Sequence, residues 1–165
     1  MADASQHGTS GCPACGAAEP DDLAACDAIF QKVIARDFSE PQRMPLHRLT
    51  VDAYALQHPD RYMRSAKSAA AHLVGACWAI EGNDDPRAAQ AISHYLNGNP
   101  PLQRPQPDPP PRQRGALTIV DVRDAPDAHE HKRVVLAWAR DAWAAWHAHH
   151  AQARAWLASA IDRRT

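Results

Sequence analysis

The spacing of apolar residues between positions 22 and 37 is what most restricts the fold. Leu23, Cys26, Ile29, Phe30, Val33 and Ile34 recur in steps of three and four. That period gathers them on one side of an α-helix and would scatter them over both faces of a strand. The pattern returns along the chain. Pro45–Gln57 carries Leu46, Leu49, Val51, Tyr54 and Leu56, a broad stripe that predicts burial on more than one side. Ser65–Ile80 carries Ala69, His72, Leu73, Ala76, Cys77 and Ile80. A fourth helix is expected to open at Asp85–Pro86, with proline in its first turn, and to close at Asn97–Gly98. The breaks fall where helices end: Pro41 and Pro45, a turn over residues 59–64 after His58–Pro59, and Glu81–Gly82–Asn83. Alanine supplies much of the 45% hydrophobic fraction and aromatics only 6%, which suits helices packed closely. The expected fold is all-α, a small helical bundle in one domain of 165 residues.

Within that domain residues 1–11 read as a flexible tail, and residues 12–98 as a cysteine knuckle followed by four helices. Residues 99–115, NPPLQRPQPDPPPRQRG, hold half of the 14 prolines and are expected to be a stiff polyproline II linker. Ala116–Val122 is β-branched and reads as a short strand, or, through Thr118 and Asp121, as a helical turn with a capping box. From His129 to Ile161 a Trp-rich helical pattern would span about 50 Å if unbroken. That exceeds the core of a domain this size, so a break, a kink or a projecting end is expected. Its inward stripe is Val135, Trp138, Ala142, Trp146, His149, Ala153 and Trp156, and its tryptophans are expected in helix packing.

The formal net charge is −1, with Arg and Lys scattered among Asp and Glu. A nucleic-acid partner is therefore not expected. The first ten residues, MADASQHGTS, lack the basic and apolar regions of a signal peptide, and Ala69–Ile80 is too short to span a bilayer. The expected setting is cytoplasmic, with no membrane partner. A protein partner or a second copy of the chain would use the C-terminal helix. In a reducing compartment, four cysteines read as metal ligands or catalytic groups rather than disulfides.

Cys12-Pro-Ala-Cys15-Gly16 is the most specific local signal. Two thiolates two residues apart can reach one metal at about 2.3 Å. Glycine after the second lets the chain turn back with positive φ. A thioredoxin-like redox pair uses the same spacing but expects a βαβ context that is not visible here. The expected cofactor is zinc, with Cys12, Cys15 and Cys26 as ligands. Cys26 also reads as a small core residue. The preferred fourth ligand is His58, next to Pro59 at a helix end; His47, His72 and Cys77 are alternatives, and Cys77, in an apolar stripe, reads more naturally as core.

A second group lies in HRLTVDAYALQHP, residues 47–59. His47, Tyr54 and His58 share a helical face, and Asp52 lies on a neighbouring one. If this helix and the next form an antiparallel hairpin turning near Tyr62, Asp52 falls level with His72, with His58 and Ser68 in the same region. Asp52 and His72 are then candidate catalytic residues, an Asp fixing a histidine tautomer. A buried network that satisfies its own hydrogen bonds is the favoured reading. His147 with His150, and His129 with His131 beside Asp127 and Glu130, read as exposed polar positions more than as metal sites.

Through CPACG, HRLTVDAYALQHP, His72 and WARDAWAAWHAHH, the chain resembles a bacterial domain-of-unknown-function family. That family carries a Cys-x-x-Cys-Gly opening, a later cysteine, a Val-Asp-x-Tyr-x-x-Gln-His-Pro string and a Trp-rich terminal helix. The resemblance covers nearly the whole chain after the first ten residues. It implies that Cys12, Cys15, Cys26, Asp52, His58 and His72 belong to the family pattern, and it implies no activity. The expectation is a zinc-binding helical protein with a structural metal. The alternative is a metal-dependent hydrolase or transferase using Asp52, His58 and His72.

Overall fold

The computed structural model describes residues 11–82, 87–106 and 109–162. Eight α-helices and no strand occur among them. The first, α1, spans Leu23–Ser39, and the side chain of Asp22 accepts from the Ala25 amide as its N-cap. A 3-10 turn at Met44–Leu46 leads into α2, His47–Gln57, so the expected second helix begins as a tighter coil around Pro45. The expected turn at 59–64 contains a short helix, α3, Pro59–Tyr62. Ser65 then caps α4, Ala66–Glu81, in a reciprocal pair with Ser68. Helix α5 covers Ala88–Asn97. The expected opening at Asp85–Pro86 lies outside the described residues.

Ala116–Val122 does not form a strand. Thr118 and Asp121 cap α6, Ile119–Arg123, and the cap outweighs the β-branched side chains. The C-terminal pattern is broken as expected: α7 runs over Ala128–Ala145, a 3-10 turn follows at His147–His149, and α8 covers His150–Asp162. Trp146 sits at the break, fully buried, its indole nitrogen donating to the Leu56 carbonyl at 3.0 Å. The inward stripe is buried as expected except at His149, which is half-exposed.

Two hydrophobic clusters fill the interior, and α2 contributes to both. Its Ala55 and Leu56 join α4, α5, α8 and the C-terminal half of α7 around Leu73, Trp143, Trp146 and Trp156. Its Leu49, Ala53 and Tyr54 join the cysteine knuckle, α1, α6 and the N-terminal half of α7 around Phe30, Ile119 and Trp138. The broad apolar pattern of this helix reflects its central place.

The proline-rich segment is more than a connector. Arg104 donates to the Met63 carbonyl, Arg112 to the Gly11 carbonyl, and Arg114 to the Gln57 carbonyl. The Arg112 amide also bonds the Ala14 carbonyl inside the knuckle. Gln57 is the reciprocal anchor: its amide donates to the carbonyls of Arg114 and Leu117, and its oxygen accepts from the Trp138 indole. Gly11, expected in the tail, is buried. It holds a φ of +105°, and a β-carbon there would lie 2.3 Å from the Ala17 carbonyl oxygen.

Candidate metal centre

The knuckle is a tight turn closed by backbone bonds. The Gly16 amide donates to the Cys12 carbonyl and the Cys12 amide to the Ala17 carbonyl, both at 2.9 Å. Gly16 has a φ of +82°, the left-handed conformation that brings both sulfurs to one side. Cys26 arrives from the first turns of α1. His58 arrives from the C-terminal end of α2, where Pro59 prevents the helix from running on.

Cys12, Cys15, Cys26 and His58 converge with their donor atoms all within 4.8 Å of one another, and all four residues are buried. Cys15 Sγ lies 3.9 Å from Cys26 Sγ. His58 Nε2 lies 3.6 Å from Cys12 Sγ and 3.5 Å from Cys26 Sγ. A tetrahedral ion with metal–sulfur bonds of about 2.3 Å and metal–nitrogen bonds of about 2.0–2.1 Å separates its ligands by roughly 3.8 Å for two sulfurs and 3.5–3.6 Å for sulfur and nitrogen. These three spacings match both values, and every other pair of donor atoms lies within 4.8 Å. These four residues fit a metal ion.

The surroundings orient the ligands. His58 Nδ1 is 2.9 Å from the Tyr54 carbonyl, to which it donates, so Nε2 presents a lone pair to the sulfurs. The Tyr54 hydroxyl donates to Cys26 Sγ at 3.6 Å. The Tyr54 ring stacks between Phe30 and His58, each centroid 3.9 Å away. Burial first, and the Cys26 sulfur second, push the Tyr54 phenol above its usual range, so the hydroxyl stays a donor.

Electrostatics point the same way. Hydrogen bonds from Cys15 and Cys26 hold the Cys12 thiol far below the usual range. Their counterpart is that Cys15 is pushed up to about 11 and Cys26 higher still, each chiefly through its bond to Cys12. A divalent cation removes this competition and allows all three to ionise. Nearby, burial pulls the Arg114 guanidinium below its ordinary range, opposed chiefly by Asp60.

The other candidate residues lie elsewhere. The expected meeting of Asp52 and His72 occurs: His72 Nδ1 is 2.8 Å from Asp52 Oδ1, and Arg48 Nε donates to both Asp52 oxygens. His58 and Ser68 do not join them, and among the described residues no hydrogen bond or ion pair links His58 to Asp52 or His72. Six residues along α2, His58 faces the knuckle while Asp52 faces α4. Ser68 is spent in the cap of α4. Cys77 is core, with Glu81 beside its sulfur. His47 lies 3.9 Å from Asp37, His147 is exposed, and His150 stacks on Trp143.

Two features escaped the sequence reading. Asp37 is fully buried, and His131, expected at the surface, is also buried, 3.1 Å from the Asp37 carboxylate. The signal was the register: Asp37 follows Cys26, Phe30 and Val33 in steps of four, three and four, and His131 precedes Val135 and Trp138 in steps of four and three. Each polar residue occupies a core position of its stripe. Arg114 left no such signal, because its partners are carbonyls set by the path of the chain.

The sequence profile of a family of unknown function, DUF5946, matches residues 10–147. The chain belongs to this family. The match includes all four converging ligands, Asp52 and His72, and it stops before α8, short of the full extent of the resemblance expected from the motifs. Among curated proteins and solved structures, none matches the chain. The DUF5946 family carries no assigned activity, so the site itself must carry the functional argument. No described helix is long and apolar enough to cross a membrane.

Proposed function

We propose that this DUF5946 protein is a zinc-binding helical protein whose ion has a structural role. The observation that carries the reading is the convergence of three cysteines and one histidine, all buried, with their donor atoms within 4.8 Å of one another. Structural zinc sites use four protein ligands, whereas catalytic ones keep a position for water. Three soft thiolates and an imidazole favour zinc over magnesium or calcium, which take oxygen ligands. The ion would tie the knuckle to α1 and to the end of α2, three segments that the sequence keeps far apart. The four free cysteines agree with a reducing, cytoplasmic setting. A protein partner or a homodimer through the C-terminal helix belongs to the same reading, and nucleic acid does not.

A second reading, hydrolase or transferase chemistry, has its support in the Asp52–His72 pair. Asp52 is wholly buried and fixes the Nδ1 proton of a ring that is 17% exposed, which leaves Nε2 as a base. It draws no support from the metal centre, whose four protein ligands leave no room for a bound water.

Metal analysis of the purified protein tests the first reading. One zinc per chain is expected, lost in Cys12→Ala together with cooperative unfolding. A folded Cys12→Ala variant of full stability, or a metal-free parent from zinc-replete cells, overturns it. X-ray absorption separates the readings: three sulfurs and one nitrogen are expected, and an exchangeable oxygen ligand would favour catalysis.

A further inference from the structure

Residues of α1, α6 and α7 and of the turn after α1 line a cavity of about 140 Å³. Lys32 and Arg36 come from α1, Arg43 from the turn that follows it, Arg123 from α6 and His131 from α7. Two valines complete the wall, and among the described residues that line it none is acidic. The chain as a whole is nearly neutral, at −1, so this concentration of cations is local.

Two of the five groups are built in rather than waving from the surface. The Arg43 side chain is 2% exposed and that of His131 is 1% exposed. Burying a guanidinium is costly, so it is found where something compensates it. The compensation here is incomplete. Glu40 bonds Arg43 Nε from outside the cavity, and it is shared with Arg36. Arg123 is paired with Asp124 at the rim. Asp37 lies behind His131, 3.1 Å from its Nε2, and neither imidazole nitrogen makes a hydrogen bond. Asp37, Glu40, Asp124 and Glu19, which acts on Arg123, equal Lys32, Arg36, Arg43 and Arg123 in number, but none of these acids lines the cavity itself.

We propose that this cavity binds the phosphoryl group of a small phosphorylated molecule or free phosphate. Guanidinium forks match the oxygens of a phosphate, and an ammonium and an imidazole add single donors at other angles. Asp37 serves as a positioning residue. Its carboxylate lies 3.1 Å from Nε2 on one edge of the His131 ring, and Nδ1 on the other edge is buried with no hydrogen-bond partner among the described residues; in the doubly protonated ring Nδ1 is the donor for an incoming oxygen. The volume suits one tetrahedral oxyanion and is far too small for a nucleic-acid strand, in keeping with the scattered surface charge. The five residues are separated by up to 99 positions, which is why the sequence shows no basic motif.

The test is a titration of the isotope-labelled, metal-loaded chain with inorganic phosphate, methyl phosphate and acetate at constant ionic strength, read by amide chemical shifts. Saturable shifts in the 32–43, 119–123 and 131 regions are expected with a phosphate Kd in the range of about 0.1–5 mM. Acetate should bind at least tenfold more weakly. Tighter methyl phosphate than inorganic phosphate identifies a phosphorylated molecule as the ligand; the reverse order identifies the free anion. Lys32→Gln with Arg123→Gln keeps the buried groups intact and should weaken phosphate about tenfold, roughly the sum of two partly exposed charged contacts. His131→Gln should weaken it further without moving the zinc content. Absence of a saturable shift, equal affinity for acetate, or unchanged affinity in the Lys32/Arg123 variant overturns the proposal.

Discussion

Gly75 offers a sharp test of how Asp52 is held, because the ordinary rule for glycine in a helix predicts the wrong sign here. Glycine in a helix interior costs about 1 kcal/mol relative to alanine, so Gly75→Ala should stabilise α4 by that amount. But Gly75 faces the Asp52 carboxylate. A β-carbon built there would lie 2.2 Å from Asp52 Oδ2 and 2.9 Å from Arg48 Nη2. Ordinary carbon contacts begin near about 3.5 Å, so the carboxylate must retreat by about 1 Å. It has nowhere wet to go, since Asp52 is fully buried. Retreat breaks the Arg48 bond to Oδ2 at 2.9 Å and stretches the His72 bond to Oδ1 at 2.8 Å. A hydrogen bond to a charged group contributes about 1.5–3 kcal/mol, so losing one and weakening another costs about 3 kcal/mol.

The net expectation for Gly75→Ala is a destabilisation of about 2 kcal/mol, or about 4–8 °C in Tm for a domain of this size. Urea unfolding of the metal-loaded protein measures it. The clash argument is isolated by a double-mutant cycle with Asp52→Ala, in which the methyl meets no carboxylate. There Gly75→Ala should be neutral or stabilising, giving a coupling of about 3 kcal/mol. If Gly75→Ala alone matches or exceeds the parent stability, the close approach of α4 to Asp52 is wrong, and the Asp52–His72 pair falls with it.

Other consequences follow from single side chains. Gln57→Leu removes three bonds at once, orphaning the Trp138 indole and the carbonyls of Arg114 and Leu117; a loss of about 2–4 kcal/mol is expected in chemical unfolding, with a blue shift of the Trp emission absent if water fills the gap. Burial first, and Glu81 second, push the Cys77 thiol up to about 11. At pH 8 only about one molecule in a thousand carries its thiolate, so alkylation mapped by mass spectrometry should leave Cys77 unlabelled in the folded protein. If the proposed zinc is bound, acid should release it. Bound thiolates titrate well below their unfolded range, so the stability they contribute is present above that range and is lost as pH falls and protons displace the metal; zinc release and loss of thermal stability should coincide in a pH series.

How much of this was legible follows from where each signal resides. The helices declared themselves through period and punctuation, because Asp22, Ser65 and Thr118 act on amides two or three residues away. The knuckle was legible for the same reason: its turn is local. His58 was legible through Pro59, which ends α2 and frees the side chain. The choice between strand and helix at Ala116–Val122 was not resolved by propensity, since four β-branched residues compete with one cap worth about 1 kcal/mol. The grouping of His58 with Asp52 failed because a hairpin argument fixes height along two helices and says little about rotation around them. Asp37 and His131 were legible in register, but His131 was read by residue type and Asp37 was passed over. A charged residue on an apolar stripe deserved the burial that its position predicted.

The placement of the proposed ion would have a consequence for the order in which the fold comes apart. Of the four ligands, Cys12, Cys15 and Cys26 belong to the cluster of α1, α6 and the first half of α7. His58 closes α2, which reaches both clusters. The second cluster, around Leu73, Trp143 and Trp156, contains no ligand. Removing the ion leaves three buried sulfurs that must reprotonate or repel, and it frees a knuckle whose remaining ties are a few backbone bonds and Arg112. The N-terminal cluster should then open below the global free energy, while α4, α5 and α8 keep their packing. Hydrogen exchange on chelated and metal-loaded protein should show protection falling at residues 11–39 and 119–123 before it falls at Ala66–Glu81 and His150–Asp162. Uniform loss across all helices would mean that α2 transmits the loss to both clusters and that the ion governs one cooperative unit. Unchanged protection at residues 11–39 would mean that the four ligands are a packed core that needs no metal.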